Sequence, residues 1–118
     1  MNTYDLEDRL IEFAVLIITI SKKLSKCYAG KHLSRQIVRS GTSPGLHYGE
    51  AQSAESRKDF IHKLKLVLKE LRETQANLKM IKKAKLTNNV VLLDDALNEN
   101  HELISIFVKS TQTAKEKT

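Results

Sequence analysis

Tryptophan is missing from this chain, and cysteine and proline occur once each. With only Cys27, an intrachain disulfide is excluded and nothing points to an oxidising compartment, so a cytoplasmic location is expected. Four glycines, one proline and six Phe or Tyr side chains in 118 residues are too few for a strand-and-turn architecture and point to helices. No long apolar run exists. Phe13 to Ile20 covers about 12 Å as helix, far short of a bilayer core. The opening residues MNTYDLEDRL are acidic where a signal peptide is basic, so no membrane anchor is expected. Metal chemistry lacks a pattern too: His32, His47, His62 and His101 have no ligand spacing with one another, with Cys27 or with carboxylates. SGTSPG has neither the lysine nor the spacing of a phosphate-binding loop, and no cofactor is expected.

What is present is a soluble composition, 41% hydrophobic and 29% charged, in a length that fits one domain over 1–118. The charge is uneven. Residues 56–85 hold ten Lys or Arg against three acidic residues, while 1–20 and 86–108 are net acidic, so most of the overall +6 sits on one element. That excess permits a polyanionic partner, although lysine is also an ordinary solubility device.

The residue pattern separates four helical segments, near 5–27, 32–53, 57–85 and 89–111, with a frayed tail over 112–118, and points to an all-α fold in which the second segment is either one helix or broken at SGTSPG. In the first, Leu6, Leu10, Phe13, Ile17, Ile20 and Leu24 alternate by four and three and form one seam. Ile11, Val15 and Ile18, with Ala14 nearby, lie on a second apolar face, which one helix of a monomeric bundle does not bury; these four residues are the expected self-association surface. Gly30 suits a left-handed C-cap, placing the first turn at Tyr28 to Lys31. At SGTSPG two outcomes stay open. Ser43 could cap a new helix with Pro44 in its first turn, or Pro44 could sit inside a continuous, kinked helix. Ser56 with Asp59 reads as a capping box that starts the third helix, whose seam is Phe60, Leu64, Val67, Leu71, Thr74, Leu78 and Ile81. After Thr87, Asn88 and Asn89, the fourth helix repeats the spacing through Val90, Leu93, Leu97, Asn100, Ile104, Phe107 and Thr111. Thr74 and Asn100 are expected to satisfy each other or the backbone and to set register. Glu50 is expected to pair with Arg35 or Arg39, or to join an interface.

Opposite the third seam stand Lys58, His62, Lys65, Lys69, Arg72, Lys79 and Lys83, a row without an acidic residue. Lys65 and Lys69 repel across one turn, as do Lys79 and Lys83, each pair costing about 0.2–0.5 kcal/mol. A merely solvated face would normally mix its charges. Such a row can neutralise phosphates, and without aromatic residues it offers bases no stacking platform. Arg57 and His62 also fit a loose Arg-x4-His spacing of some helical ribonucleases, with His as acid or base and Arg on the phosphate, but no supporting constellation lies nearby.

Two blocks, RSGTSPGLHYGEA from Arg39 and SRKDFIHKLKLVLKELRET from Ser56, closely resemble the four-helix-bundle family of proteins encoded in intervening sequences of bacterial 23S ribosomal RNA genes. The likeness covers most of the chain. It implies an antiparallel up-down bundle, a second helix continuous through Pro44, and a ring-shaped homo-oligomer, a pentamer. A distantly similar branch comprises accessory proteins of diversity-generating retroelements, basic pentamers that bind nucleic acid and a reverse transcriptase. The main branch carries no established biochemical activity. This chain departs in having His47 where relatives often have Asn, Pro44 where close relatives often have Ile, and Ala76-Asn77 where many have aromatic residues.

Together these features lead to the expectation of a non-enzymatic homo-oligomeric bundle whose basic surface binds RNA or another nucleic acid without strong sequence preference. The alternatives are a protein-interaction adaptor without a nucleic-acid role and a ribonuclease using Arg57 and His62.

Overall fold

A computed structural model describes residues 3–117. Four helices follow in order: α1 Thr3–Lys22, α2 Tyr28–Gln52, α3 Arg57–Lys83 and α4 Val90–Glu116, with no strand among the described residues. Each helix packs on its neighbours in sequence and α4 closes back on α1, giving an antiparallel square about 47 Å long. The predicted seams of α1 and α3 face the core, with Leu10, Ile17, Leu71 and Leu78 fully buried.

Three boundaries differ from the expected ones. First, α1 ends at Lys22 instead of continuing to Cys27, and Gly30 lies in the first turn of α2 instead of capping α1. Leu24 turns inward to close the core, and the Ser25 N–H donates to the Leu86 carbonyl at 2.7 Å, tying this turn to the α3–α4 turn. The Ser25 carbonyl then passes so close to Gly30 that an added Cβ would stand 1.9 Å from it. Glycine is needed there for close approach. Second, α2 accordingly begins at Tyr28 and not near His32, with Cys27 as its N-cap and the Cys27 Sγ accepting from the Gly30 N–H.

Third, α4 does not stop at Thr111 with a frayed tail. It runs to Glu116 because Thr111 and Ala114 continue its buried face; Thr118 lies outside the described residues. That face also includes Ala96 and Leu103, whereas Val90 is exposed and Leu97 and Ile104 are half-buried.

Helix α2 is continuous through Pro44, which is buried. Ser43 does not cap a new helix. Its hydroxyl donates back to the Arg39 carbonyl at 2.6 Å, and that of Thr42 donates to the Val38 carbonyl at 2.7 Å, so both side chains bond within the continuing helix instead of capping a new one. Gly41 completes the arrangement. A Cβ at that position would lie 2.7 Å from Ile17 Cγ2, so glycine lets α2 approach α1. Ser56 caps α3 by accepting from the Asp59 N–H at 3.0 Å, while the Asp59 carboxylate accepts from the Glu55 N–H, one residue before the position a standard box uses.

Thr74 and Asn100 do not pair with each other. Thr74 Oγ1 lies 2.9 Å from both Ser40 Oγ and the Glu70 carbonyl, and Asn77 donates to the same Ser40 Oγ at 3.2 Å. Asn100 donates to the Leu71 carbonyl at 2.9 Å and to Gln75 Oε1 at 2.8 Å. These bonds fix α3 against α2 on one side and α4 on the other.

Candidate nucleic-acid interface

Successive residues of a helix advance by about 100°, so Lys58, His62, Lys65, Lys69, Arg72, Lys79 and Lys83 fall within an arc of about 100° along about 38 Å of α3. All seven are exposed, and none is in an ion pair. Ala76, also exposed, is the uncharged interval between Arg72 and Lys79.

The three acidic residues of α3 have other partners. Asp59 is held at the capping turn, and Glu70 and Glu73 both bind Arg39 of α2, Glu70 at 3.0 Å. The expected pairing of Glu50 with Arg35 or Arg39 is thereby replaced. Glu50 instead accepts from His47 at 2.8 Å and lies 3.7 Å from Lys63, whose charge leaves the basic field in turn. Its carboxylate is held below the ordinary range, chiefly by the His47 hydrogen bond and then by Lys63. At the other end of the row Lys82 binds Asp94 at 2.6 Å. Beside it α4 contributes His101 and Asn98 to a shallow notch with Lys79 and Lys83, contributions that the linear sequence did not reveal because they depend on α3–α4 register.

Arg57 and His62 are not brought together. Both are exposed, five residues apart on α3 and so about 140° apart around the helix. Of the positions where the chain departs from its relatives, Ala76 adds nothing to a stacking surface, Asn77 is buried on Ser40 and Pro44 is buried in α2.

Across the bundle from the α3–α4 side, Ile11 and Val15 are exposed and Ala14 and Ile18 are half-buried, so the second apolar face of α1 remains uncovered within the subunit. Thr42, Gly45, Leu46 and Gly49 of α2 extend it into a groove of about 490 Å³. Leu46 is 71% exposed, and a Cβ at Gly49 would meet nothing within 4 Å. The spacing of these four residues along one edge of α2 was a readable signal, masked by the ambiguity at SGTSPG. Among the described residues no group of His, Cys, Asp or Glu could hold a metal ion, and no helix is long and apolar enough to cross a membrane.

The fold and these surfaces define a four-helix-bundle protein with an unpaired basic edge and an uncovered apolar groove. The chain belongs to the 23S rRNA-intervening sequence protein family, whose sequence profile matches residues 3–109. It is similar to a crystal structure of a protein of unknown function from the S23 ribosomal protein family of Bacteroides thetaiotaomicron. The two share 33% identity over 95% of this chain and 99% of the other, with a TM-score of 0.83. Comparison with curated proteins finds no match.

Proposed function

We propose that this protein is a non-enzymatic, cytoplasmic scaffold that assembles through the α1–α2 groove into a homo-oligomeric ring, a pentamer, and binds RNA or another nucleic acid along the α3 row. The observation that carries the nucleic-acid reading is the absence of ion pairs from all seven row residues, combined with the diversion of Glu70 and Glu73 to Arg39. An uncompensated row of this kind attracts phosphates and releases counterions, a sequence-independent source of affinity. Repetition around a ring multiplies it. The angular separation of Arg57 from His62 weighs against a nuclease built within one subunit.

Replacing Lys65, Lys69 and Arg72 together by Gln tests the reading, since glutamine keeps helix propensity and the three residues are exposed. Binding of RNA and duplex DNA is followed by gel shift across a salt series. The triple variant is expected to bind more weakly, with a log–log salt slope shallower by about two to three units. Preference among sequences is expected to stay flat. Equal binding by parent and variant over the whole series would reduce the row to a solvated face and favour the adaptor reading.

A further inference from the structure

A large cleft lies at the end of the bundle where α1 and α3 begin, and neither proposed surface includes it. Arg9 of α1 pairs with Glu99 and Glu102 of α4. Beyond Glu102, α4 continues for several turns toward this end, whereas α1 starts within two turns before Arg9. The longer helix outruns the shorter one, and a cleft of about 710 Å³ opens there. Its floor is apolar: Leu6, Tyr48, Leu64 and Ala114 are core residues that reach its surface, and the half-buried rings and branches of Phe60 and Ile106 form its walls.

The rim has the opposite character. Arg57 at the start of α3 shares the rim with Lys109 on α4 and Lys117 just past its end, and no Asp or Glu is among the described lining residues. None of the three cationic side chains is in an ion pair or hydrogen bond, unlike Arg9, Arg39, Lys63 and Lys82. Ser110 and Thr113 add hydroxyls at the same mouth, also without side-chain partners. Arg57 stands outside the arc of the α3 row, so its charge serves this cleft and not that surface.

We infer that the cleft is a binding site for a small amphiphilic anion, with an apolar body against Phe60, Ile106 and Leu64 and a carboxylate or phosphate head held by Arg57 and Lys109. Its size falls within the range of small-molecule pockets, about 300–1,000 Å³, and its lining has their usual form of an apolar surface with a few convergent polar groups. Arginine and lysine on facing helices can clasp one head group with charge-assisted hydrogen bonds. Phosphate backbones, which lack an apolar body, would leave the walls unused. The site is independent of whether the α3 row binds nucleic acid.

Fluorescence titration with 8-anilinonaphthalene-1-sulfonate tests it, beside N-phenyl-1-naphthylamine, which keeps the aromatic body and lacks the anion. The parent is expected to bind the sulfonate saturably, one per subunit. Arg57→Glu with Lys109→Glu is expected to weaken that binding by about tenfold or more while leaving the neutral dye nearly unaffected. Arg57→Gln with Lys109→Gln removes the charges without adding repulsion and is expected to fall between. Decanoate and decyl phosphate should displace the sulfonate, the more effective one identifying the preferred head group. The inference is overturned if the parent shows no saturable binding, if neither amphiphile competes, or if both rim variants bind as the parent does. It is also overturned if binding is lost in Ile11→Glu with Ile18→Glu, which alters the α1–α2 groove and the assembly proposed through it but no residue of the cleft.

Discussion

Glu50 shows how neighbours on two helices decide one side chain's chemistry. His47 stands one turn earlier on α2 and Lys63 approaches from α3, and both favour the charged carboxylate. Its folded pKa is lowered, so whatever it contributes to stability is present above the ordinary carboxylate pKa and is lost as pH falls through the lowered value. An NMR titration of the Glu50 side-chain carboxyl carbon is expected to find its midpoint below the ordinary value of 4.5. In His47→Ala the midpoint should rise toward that value, and by less in Lys63→Gln, because the hydrogen bond is the larger cause. An unchanged midpoint in both variants would show that neither contact persists in solution. Arg39 was an equally natural partner in the sequence, but Glu70 and Glu73 reach it first across the α2–α3 contact.

Helix α2 depends on what it lacks. Gly41 places backbone against Ile17, and an added Cβ would meet three atoms of that side chain at 3.0 Å or less. Alanine at 41 would gain about 1 kcal/mol of helix propensity. The clash outweighs it, since Ile17 is fully buried and cannot swing aside. Overpacking of about 1–3 kcal/mol less that gain leaves a net loss of up to about 2 kcal/mol, which urea denaturation of Gly41→Ala is expected to show. In an Ile17→Ala background the same change should become neutral or stabilising, because the cavity accepts the methyl group. If its cost is equal in both backgrounds, α1 and α2 do not meet at this point.

The square arrangement sets the two proposed surfaces apart. Contacts run α1 to α2, α2 to α3, α3 to α4 and α4 to α1, so the α1–α2 groove lies across the molecule from the α3–α4 side. Assembly through the groove would therefore leave the basic row facing outward. Burying Ile11, Val15 and Leu46, each about half exposed or more, supplies an apolar drive for association. Ile11→Glu with Ile18→Glu is expected to reduce the particle mass measured by light scattering while the circular dichroism spectrum stays helical. A parent protein that is monomeric at high micromolar concentration would defeat the assembly reading.

Four-three spacing was enough to identify α1, α3 and α4 and most of their inward residues, because a 3.6-residue repeat puts an apolar stripe on one side whatever packs against it. The same repeat grouped the seven basic residues of α3 and the four apolar residues of α1. Where elements begin and end was less legible. Gly30 looks like a helix terminator in one dimension, but the Ser25 carbonyl that demands a glycine arrives only when the turn folds under Leu24. Pro44 carried a local instruction to break, and the likeness to a family favoured continuity. A physical reason appears in the folded bundle, where Gly41 admits Ile17 and lets the unbroken α2 pack closely on α1. Partner choice was hidden for a related reason. Charges separated by 31 residues, such as Arg39 and Glu70, meet only through helix register, which also places Arg57 and Lys109 around the same end cleft. Periodicity is a property of one helix, whereas ion pairs, clefts and close approaches belong to the contacts between helices.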